Sequence, residues 1–170
     1  MKKIVVTFGL ISGGILSVMV AGTQGIVKNL GFEKSEILGY TTMVLSFLLV
    51  FFGIRSYRDN VASGVVSFGR AVAVGLLIMF VACMCYVVTW EILYFYFPSG
   101  FMEKYAAYAA EQIKASGASP EKIQAQLQQM ERFKELYQNP LFNAGMTFLE
   151  PLPVGVVMTL VSAAILRKRL

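Results

Sequence analysis

The stretch AVAVGLLIMFVACMCYVVTWEILYFYF, residues 71–97, contains a single charged residue, Glu91. At a rise of about 1.5 Å per residue, a helix of this length exceeds the ~30 Å thickness of a bilayer's hydrocarbon core. Its final turns carry Trp90, Tyr94 and Tyr96, residue types that collect at the membrane–water interface. The stretch therefore predicts a transmembrane helix that ends at an interface.

Three further apolar runs, at residues 4–27, 37–54 and 141–166, are also long enough to cross a membrane. Hydrophobic residues make up 56% of the 170-residue chain and charged residues only 15%, which departs from the composition of soluble domains. We therefore predict an all-α, polytopic membrane protein: a single membrane domain over residues 1–170 with four transmembrane helices.

The distribution of Lys and Arg predicts how these spans are oriented. One side of the predicted membrane holds eight basic residues and one acid, Asp59, whereas the opposite side holds seven basic residues and seven acids. Cytoplasmic loops carry an excess of Lys and Arg, so we expect both termini in the cytoplasm. The eight residues are Lys2, Lys3, Arg55, Arg58, Arg70, Arg167, Lys168 and Arg169.

The N-terminal run also fits a cleaved signal peptide. Lys2 and Lys3 precede it, and Ala21 and Gly22 are small residues of the kind found at a cleavage site. The apolar run is longer than the ~7–15 residues of a signal-peptide core, which favours retention as a span. Both alternatives leave the other three spans oriented as before.

Residues 99–139 predict an extracytoplasmic helical hairpin between the third and fourth spans. Ser99 can cap the first helix, Gly117 interrupts the pattern, and Ser119 with Pro120 starts the second helix. Each helix has one apolar stripe, which can pack on the hairpin or the bilayer surface, or dock a partner. The stripes comprise Phe101, Tyr105, Tyr108 and Ala109, then Ile123, Leu127, Met130, Phe133 and Tyr137.

Small residues recur at every fourth position in two of the spans. Such faces let helix backbones approach closely in lipid, where no hydrophobic effect drives helix association. We predict helix contacts there, either inside the bundle or with another copy or membrane protein. The predicted packing residues are Gly9, Gly13, Ser17, Ala21 and Gly25 in the first span and Gly155, Thr159 and Ala163 in the fourth.

The sequence lacks the residue patterns of common enzymes and metal sites. It contains no histidine, no phosphate-binding loop and no nucleophile elbow. Cys83 and Cys85 point about 200° apart on a helix, so they cannot share a site. We expect no enzymatic activity, no cofactor, no metal and no nucleic-acid partner, because membrane topology explains the basic residues.

Two carboxylates within apolar runs are the candidates for a functional site. Charge is costly in hydrocarbon, so Glu91 and Glu150 are candidates for binding an ion or proton. Pro151 and Pro153 remove backbone donors and free the carbonyls of Thr147 and Leu149, and we expect the residue before a proline to leave helical geometry. Alternatively, Glu91 lies at headgroup level, and Glu150 precedes a proline that starts the deep part of the fourth span.

The segment after the second run has a distinctive residue order. It reads Arg55-Ser-Tyr57-Arg58-Asp59-Asn60, then Gly64, then Ser67-Phe68-Gly69-Arg70-Ala71 and Gly75. Together with the ending Glu150-Pro-Leu-Pro153-Val-Gly155 and its basic tail, it resembles the bacterial domain-of-unknown-function family 4199. The resemblance covers nearly the whole chain and implies four spans, with no established activity, substrate or cofactor.

Two functions fit these observations. The first is a non-enzymatic structural or accessory component of the membrane, acting through its packed spans and outer hairpin. The alternative is a small protein that transports an ion or solute, using Glu150 and Glu91. In both cases Arg55, Arg58 and Arg70 are expected to contact anionic lipid headgroups on the cytoplasmic side.

Overall fold

The computed structural model describes residues 1–97 and 100–168, without the side chains of residues 23–26 and 28. Within these ranges the chain is helical and contains no strand. Four segments are long and apolar enough to cross a membrane, Lys2–Gly22, Asn29–Asn60, Phe68–Tyr96 and Pro140–Leu166, which confirms the predicted all-helical class. The helices are α1 Lys2–Asn60, α2 Phe68–Tyr96, α3 Phe101–Ala115, α4 Pro120–Tyr137, α5 Pro140–Leu149 and α6 Leu152–Leu166.

Helix α1 contains the first two spans and breaks at one residue between them. Gly31 has φ 80° and ψ 171°, a backbone conformation that glycine adopts without steric cost. The predicted spans end at residue 27 and begin again at residue 37, whereas the helices extend to either side of Gly31. We call residues 2–30 the first arm and residues 32–60 the second arm.

The two arms are held together by a pair of buried serines. The Ser12 and Ser46 hydroxyl oxygens lie 2.7 Å apart. Ser46 Oγ is also 2.8 Å from the Ser12 carbonyl oxygen, and Ser12 Oγ is 3.1 Å from that of Ser46. Hydrogen bonds between helices are a main source of association inside a membrane, so this pair fixes the register of the arms.

The first arm approaches α2 through its small residues. A Cβ added at Gly9 would lie 2.7 Å from Val81 Cβ, and one added at Gly13 would lie 2.6 Å from Cys85 Cβ. Ser17 continues this face, with its Oγ 3.4 Å from the Cys85 carbonyl oxygen. Side chains at the two glycines would force the helices apart.

Ala21, a further predicted member of this face, does not extend it within the bundle. Ala21 is exposed, and Gly25 falls in the stretch whose side chains the structure does not describe. A step of four residues rotates around a helix by roughly 40° more than a full turn. Three steps from Gly9 therefore rotate Ala21 roughly 120° away from α2, so a contact at Ala21 stays a prediction for another copy or a partner.

Helix α6 completes the core against α2 and the second arm. A Cβ added at Gly155 would lie 2.5 Å from Met79 Cγ, and one at Gly75 would lie 2.6 Å from Thr159 Cγ2. Thr159 and Ala163 are fully buried. The predicted packing residues of the fourth span thus all lie inside the bundle.

The connection between α1 and α2 forms a tight corner at the opposite end of the bundle from α3 and α4. Arg58 Nε lies 2.7 Å from Asp59 Oδ1, and Arg55 Nε lies 3.7 Å from Asp59 Oδ2. Arg70 Nε donates to the hydroxyl of the buried Tyr57 at 3.0 Å. Arg70 therefore links α2 to α1 across the corner, whereas the pairs of Arg55 and Arg58 with Asp59 lie within α1.

Helices α3 and α4 occupy the stretch predicted as a hairpin. Helix α3 follows Gly100, whose φ is 62°, while the predicted cap Ser99 lies outside the described residues. Ser119 Oγ accepts from Lys122 N at 3.4 Å and caps α4 as expected. Helix α3 contacts the first helix and α4 contacts α5, so the pair covers one end of the bundle.

Candidate cation site at the α3–α4 end of the bundle

A cavity of about 400 Å³ lies beneath α3 and α4. The second arm, α2, both covering helices and the α5–α6 junction all contribute to its wall. Of the predicted site residues, it contains Glu150 and Thr147 but not Glu91. The lining residues are Met19, Val20, Val27, Phe32, Ser35, Glu36, Gly39, Tyr40, Tyr86, Trp90, Phe101, Met102, Tyr105, Tyr108, Phe133, Tyr137, Met146, Thr147 and Glu150.

The Glu150 carboxylate lies at the junction of α5 and α6. Its φ of −61° and ψ of −55° are right-handed helical, so the expected departure of this residue from helical geometry was wrong. Pro151 is the N-cap of α6 and its carbonyl accepts from Gly155 N at 3.0 Å. The prolines still supply no N–H to the Thr147 and Leu149 carbonyls. Two carbonyl oxygens near the carboxylate therefore lack their usual helical donors.

Tyr86 holds the Glu150 carboxylate in place. The Tyr86 hydroxyl donates to Glu150 Oε2 at 2.8 Å, and Tyr86 itself is 4% exposed. Glu150 is exposed and borders the cavity. A hydrogen bond to a charged acceptor is short and strong, so one oxygen is fixed by the protein while the second has no described partner.

Thr147 belongs to a separate polar chain in the same wall. Its Oγ1 donates to Asn143 Oδ1 at 3.3 Å, and Asn143 Nδ2 donates to the Tyr137 carbonyl at 3.1 Å. Asn143 is fully buried and was not singled out from the sequence. Its position one helical turn before Thr147 was the available signal. These hydrogen bonds link α5 to the end of α4. Thr147 therefore helps to position the helix that precedes Glu150.

The second carboxylate of the cavity is Glu36, which sequence reasoning missed. It lies on the second arm, five residues after the Gly31 break. Glu91 lies outside the cavity, and its Oε1 is buried without a hydrogen-bond partner in the described part of the chain. The reversal of the chain at Gly31 brings Glu36 to the same wall as Glu150.

Aromatic rings form most of the remaining wall. Phe32 stacks on Tyr108 with ring centroids 5.0 Å apart. Trp90 and Phe101 meet edge to face at 5.0 Å and an interplanar angle of 83°. The predicted stripe of α3 therefore faces the bundle. On α4, Tyr137 packs against Tyr94 at 5.5 Å, and burial raises the pKa of the Tyr137 phenol.

The cavity carries negative charge without a basic counterpart in its described lining. Glu36 and Glu150 border it, and no Lys or Arg does so among the residues whose side chains are described. Over residues 1–97 and 100–168, no three His, Cys, Asp or Glu side chains converge as metal ligands. The arrangement suits a monovalent positive group.

Comparison with known proteins gives one match. Neither a curated protein nor a solved structure matches the chain. The family model described as "Protein of unknown function (DUF4199)" matches residues 7–168. That range includes both the corner between α1 and α2 and the α5–α6 junction with Glu150. Because the match covers nearly the whole chain, the protein belongs to this family.

Proposed function

We propose that this non-enzymatic membrane protein binds a positively charged solute in the cavity, with Glu150 as the counter-ion. The observation that carries the proposal is an acidic cavity whose described lining contains two carboxylates and no basic residue. Ionisable residues within membrane spans are expensive and commonly mark ion or substrate sites. A bound cation would neutralise Glu150 within the fourth span, so binding and stability are coupled.

The same geometry supports a role for Tyr86 in orienting the site. Its hydroxyl engages Oε2 of Glu150, which leaves Oε1 available to a ligand. Tyr86 lies on α2, the helix that contacts both α5 and α6. The carboxylate is therefore held on a rigid part of the bundle, as a preorganised binding group requires.

The binding test uses purified full-length protein and four chloride salts at constant ionic strength: sodium, potassium, ammonium and tetramethylammonium. A ligand that binds only the folded state stabilises it by about 2.7 kcal/mol at a concentration of 100 Kd. We expect at least one cation to raise the Tm, and Glu150→Gln to abolish the rise. The control is Glu111→Gln on α3, an exposed position outside the cavity. Equal salt responses of all three proteins would contradict the proposal.

The proposed location is a bacterial inner membrane, with the cavity on the outer side and both termini in the cytoplasm. The excess of Lys and Arg at the other end of the bundle supports this orientation. Arg55, Arg58 and Arg70 there can contact anionic headgroups. Topology reporters placed between Gly117 and Ser119 should report the outside, and those at residue 62 the inside. An inside signal at Gly117 would overturn this orientation.

A structural or accessory role is the second candidate. Helix α4 contributes no buried residue, so the stripe that includes Ile123 and Leu127 is incompletely covered. A partner membrane protein could cover it. Copurification from native membranes should then be lost in Leu127→Ser but not in Gln128→Ser, its exposed neighbour. Equal recovery of the same proteins with both variants would contradict this role.

A further inference from the structure

We infer that the ligand of this cavity is an organic ammonium ion with an oxygen acceptor close to its nitrogen, as in choline or ethanolamine. This inference rests on the proposed function and specifies the class of cation. Three features support it: the chemistry of the cavity wall, the fixed aromatic pair of Trp90 and Phe101, and an unpartnered hydrogen-bond donor on Trp90.

The wall is built for a large, weakly hydrated cation. Aromatic residues supply nine of its nineteen lining positions, and three more are methionines. A bare Ca²⁺ needs six to eight oxygen ligands in its first shell, whereas the faces of aromatic rings attract alkylammonium groups directly.

Trp90 and Phe101 form a fixed aromatic pair in the cavity wall. Their rings meet edge to face at 83° with centroids 5.0 Å apart, and Trp90 is 7% exposed. Each ring fixes the orientation of the other, and ring faces that line a cavity attract quaternary ammonium groups. Desolvation strengthens the attraction, and tryptophan provides the strongest of the cation–π faces.

The Trp90 indole supplies the second contact. The Trp90 indole lies beside the Tyr137 side chain, but the geometry between them is too poor for a hydrogen bond, and Trp90 Nε1 is buried with no partner among the described residues. Buried donors without an acceptor are rare in folded proteins and call for a specific explanation. An oxygen of the ligand, a few bonds from its ammonium nitrogen, would satisfy this donor while the nitrogen lies near the rings and Glu150.

Two sources provide this chemistry, a free amino alcohol and the headgroup of a zwitterionic phospholipid. The chloride salts of choline, tetramethylammonium and potassium are the probes, each titrated calorimetrically into the full-length protein in nanodiscs. At an ionic strength that screens the charge of phosphatidylglycerol, weaker choline binding in phosphatidylethanolamine than in phosphatidylglycerol nanodiscs would assign the lipid headgroup. Equal affinity in the two would assign the free solute.

The deciding variant is Trp90→Leu. We expect choline to bind wild type more tightly than tetramethylammonium or potassium does, and Trp90→Leu to weaken choline binding about 5- to 30-fold. Trp90→Phe, which keeps a ring, should restore part of the affinity. Tyr40→Leu changes a 44% exposed lining residue, so it tests the same wall without disturbing the core. Its control, Tyr96→Leu, lies outside the cavity and is 79% exposed.

The outcomes distinguish the organic-ammonium inference from the proposed binding of a cation at Glu150. If potassium binds in a Glu150-dependent way and as tightly as choline, and neither Trp90→Leu nor Tyr40→Leu affects choline, the organic-ammonium inference is wrong while the proposed function survives. If no cation binds in a Glu150-dependent way, both are wrong. Loss of choline binding in Tyr40→Leu but not in Tyr96→Leu supports the inference even where Trp90→Leu fails to fold.

Discussion

Replacing Gly13 by alanine tests whether the close contact of the first arm with α2 stabilises the bundle. The new Cβ would lie 2.6 Å from Cys85 Cβ, 2.8 Å from Cys85 Sγ and 3.2 Å from Ala82 Cα. The thiol can rotate, but Cys85 Cβ and Ala82 Cα are fixed to the α2 backbone. The arm must therefore move away from α2. Gly14 is a matched control, because a Cβ added there meets nothing within 4 Å.

The two substitutions differ only in this contact. Both replace glycine by alanine within a helix, which favours folding by about 0.5–1 kcal/mol. Overpacking at Gly13 opposes that gain by about 1–3 kcal/mol. The helix-propensity contribution cancels in the comparison, so Gly13→Ala should be less stable than Gly14→Ala by about 1–3 kcal/mol. For a chain of this size each kcal/mol corresponds to roughly 2–4 °C in Tm.

The assay is reversible unfolding of both variants in the same detergent, followed by circular dichroism. We expect Gly14→Ala to match or exceed wild type and Gly13→Ala to unfold at a lower temperature. Gly13→Leu should be more destabilised still, because the larger side chain cannot fit at this separation. Equal unfolding free energies for Gly13→Ala and Gly14→Ala would refute the contact.

Three further perturbations probe other parts of the bundle. Ser46→Ala removes the hydrogen bonds between the arms and should lower the unfolding free energy by about 0.6–1.7 kcal/mol. Thr41→Val loses only a bond to Ile37 of its own helix and should cost less. The reverse order would contradict the role of the serine pair. Asn139→Ala removes the acceptor for Leu141 N and Phe142 N and should cost about 1 kcal/mol; unchanged hydrogen exchange in α5 would argue against the cap. Burial raises the pKa of Tyr137, so the folded state holds the phenol proton more tightly than the unfolded chain does. The resulting stability is present below the unfolded pKa of ~10 and declines as pH rises above it. Tyr137→Phe should flatten this decline in unfolding free energy. Identical pH profiles of wild type and Tyr137→Phe would contradict the shift.

The sequence predicted the parts of the fold that depend on local composition. Four apolar runs give four long helical segments, and the cap at Ser119 follows from a side chain adjacent in sequence. The position of the reversal at Gly31 was not predictable in the same way. The predicted spans end at residue 27 and begin again at residue 37, whereas the packing of the two arms extends the helices to either side of Gly31. The rotation of Ala21 away from α2 was calculable from helix geometry alone.

The candidate site was only partly readable from the sequence. Glu150 and Thr147 were identifiable because a carboxylate and a Pro-x-Pro sequence stand out within an apolar run. Glu36 was not, since it lies more than a hundred residues from Glu150 and carries no signal beyond its charge. Trp90 was interpreted as an interface residue, and its place in the cavity wall depends on how α3 covers α2.

The most direct test of cation binding at Glu150 is the ¹³C NMR signal of its side-chain carboxyl carbon during titration with choline chloride. Carboxyl-labelled glutamate, with Glu150→Gln as the blank, assigns the resonance. Binding at this carboxylate predicts a saturable shift of the Glu150 signal while that of exposed Glu111 stays in place. A Glu150 signal that does not move, or that drifts without saturation in parallel with Glu111, would contradict it.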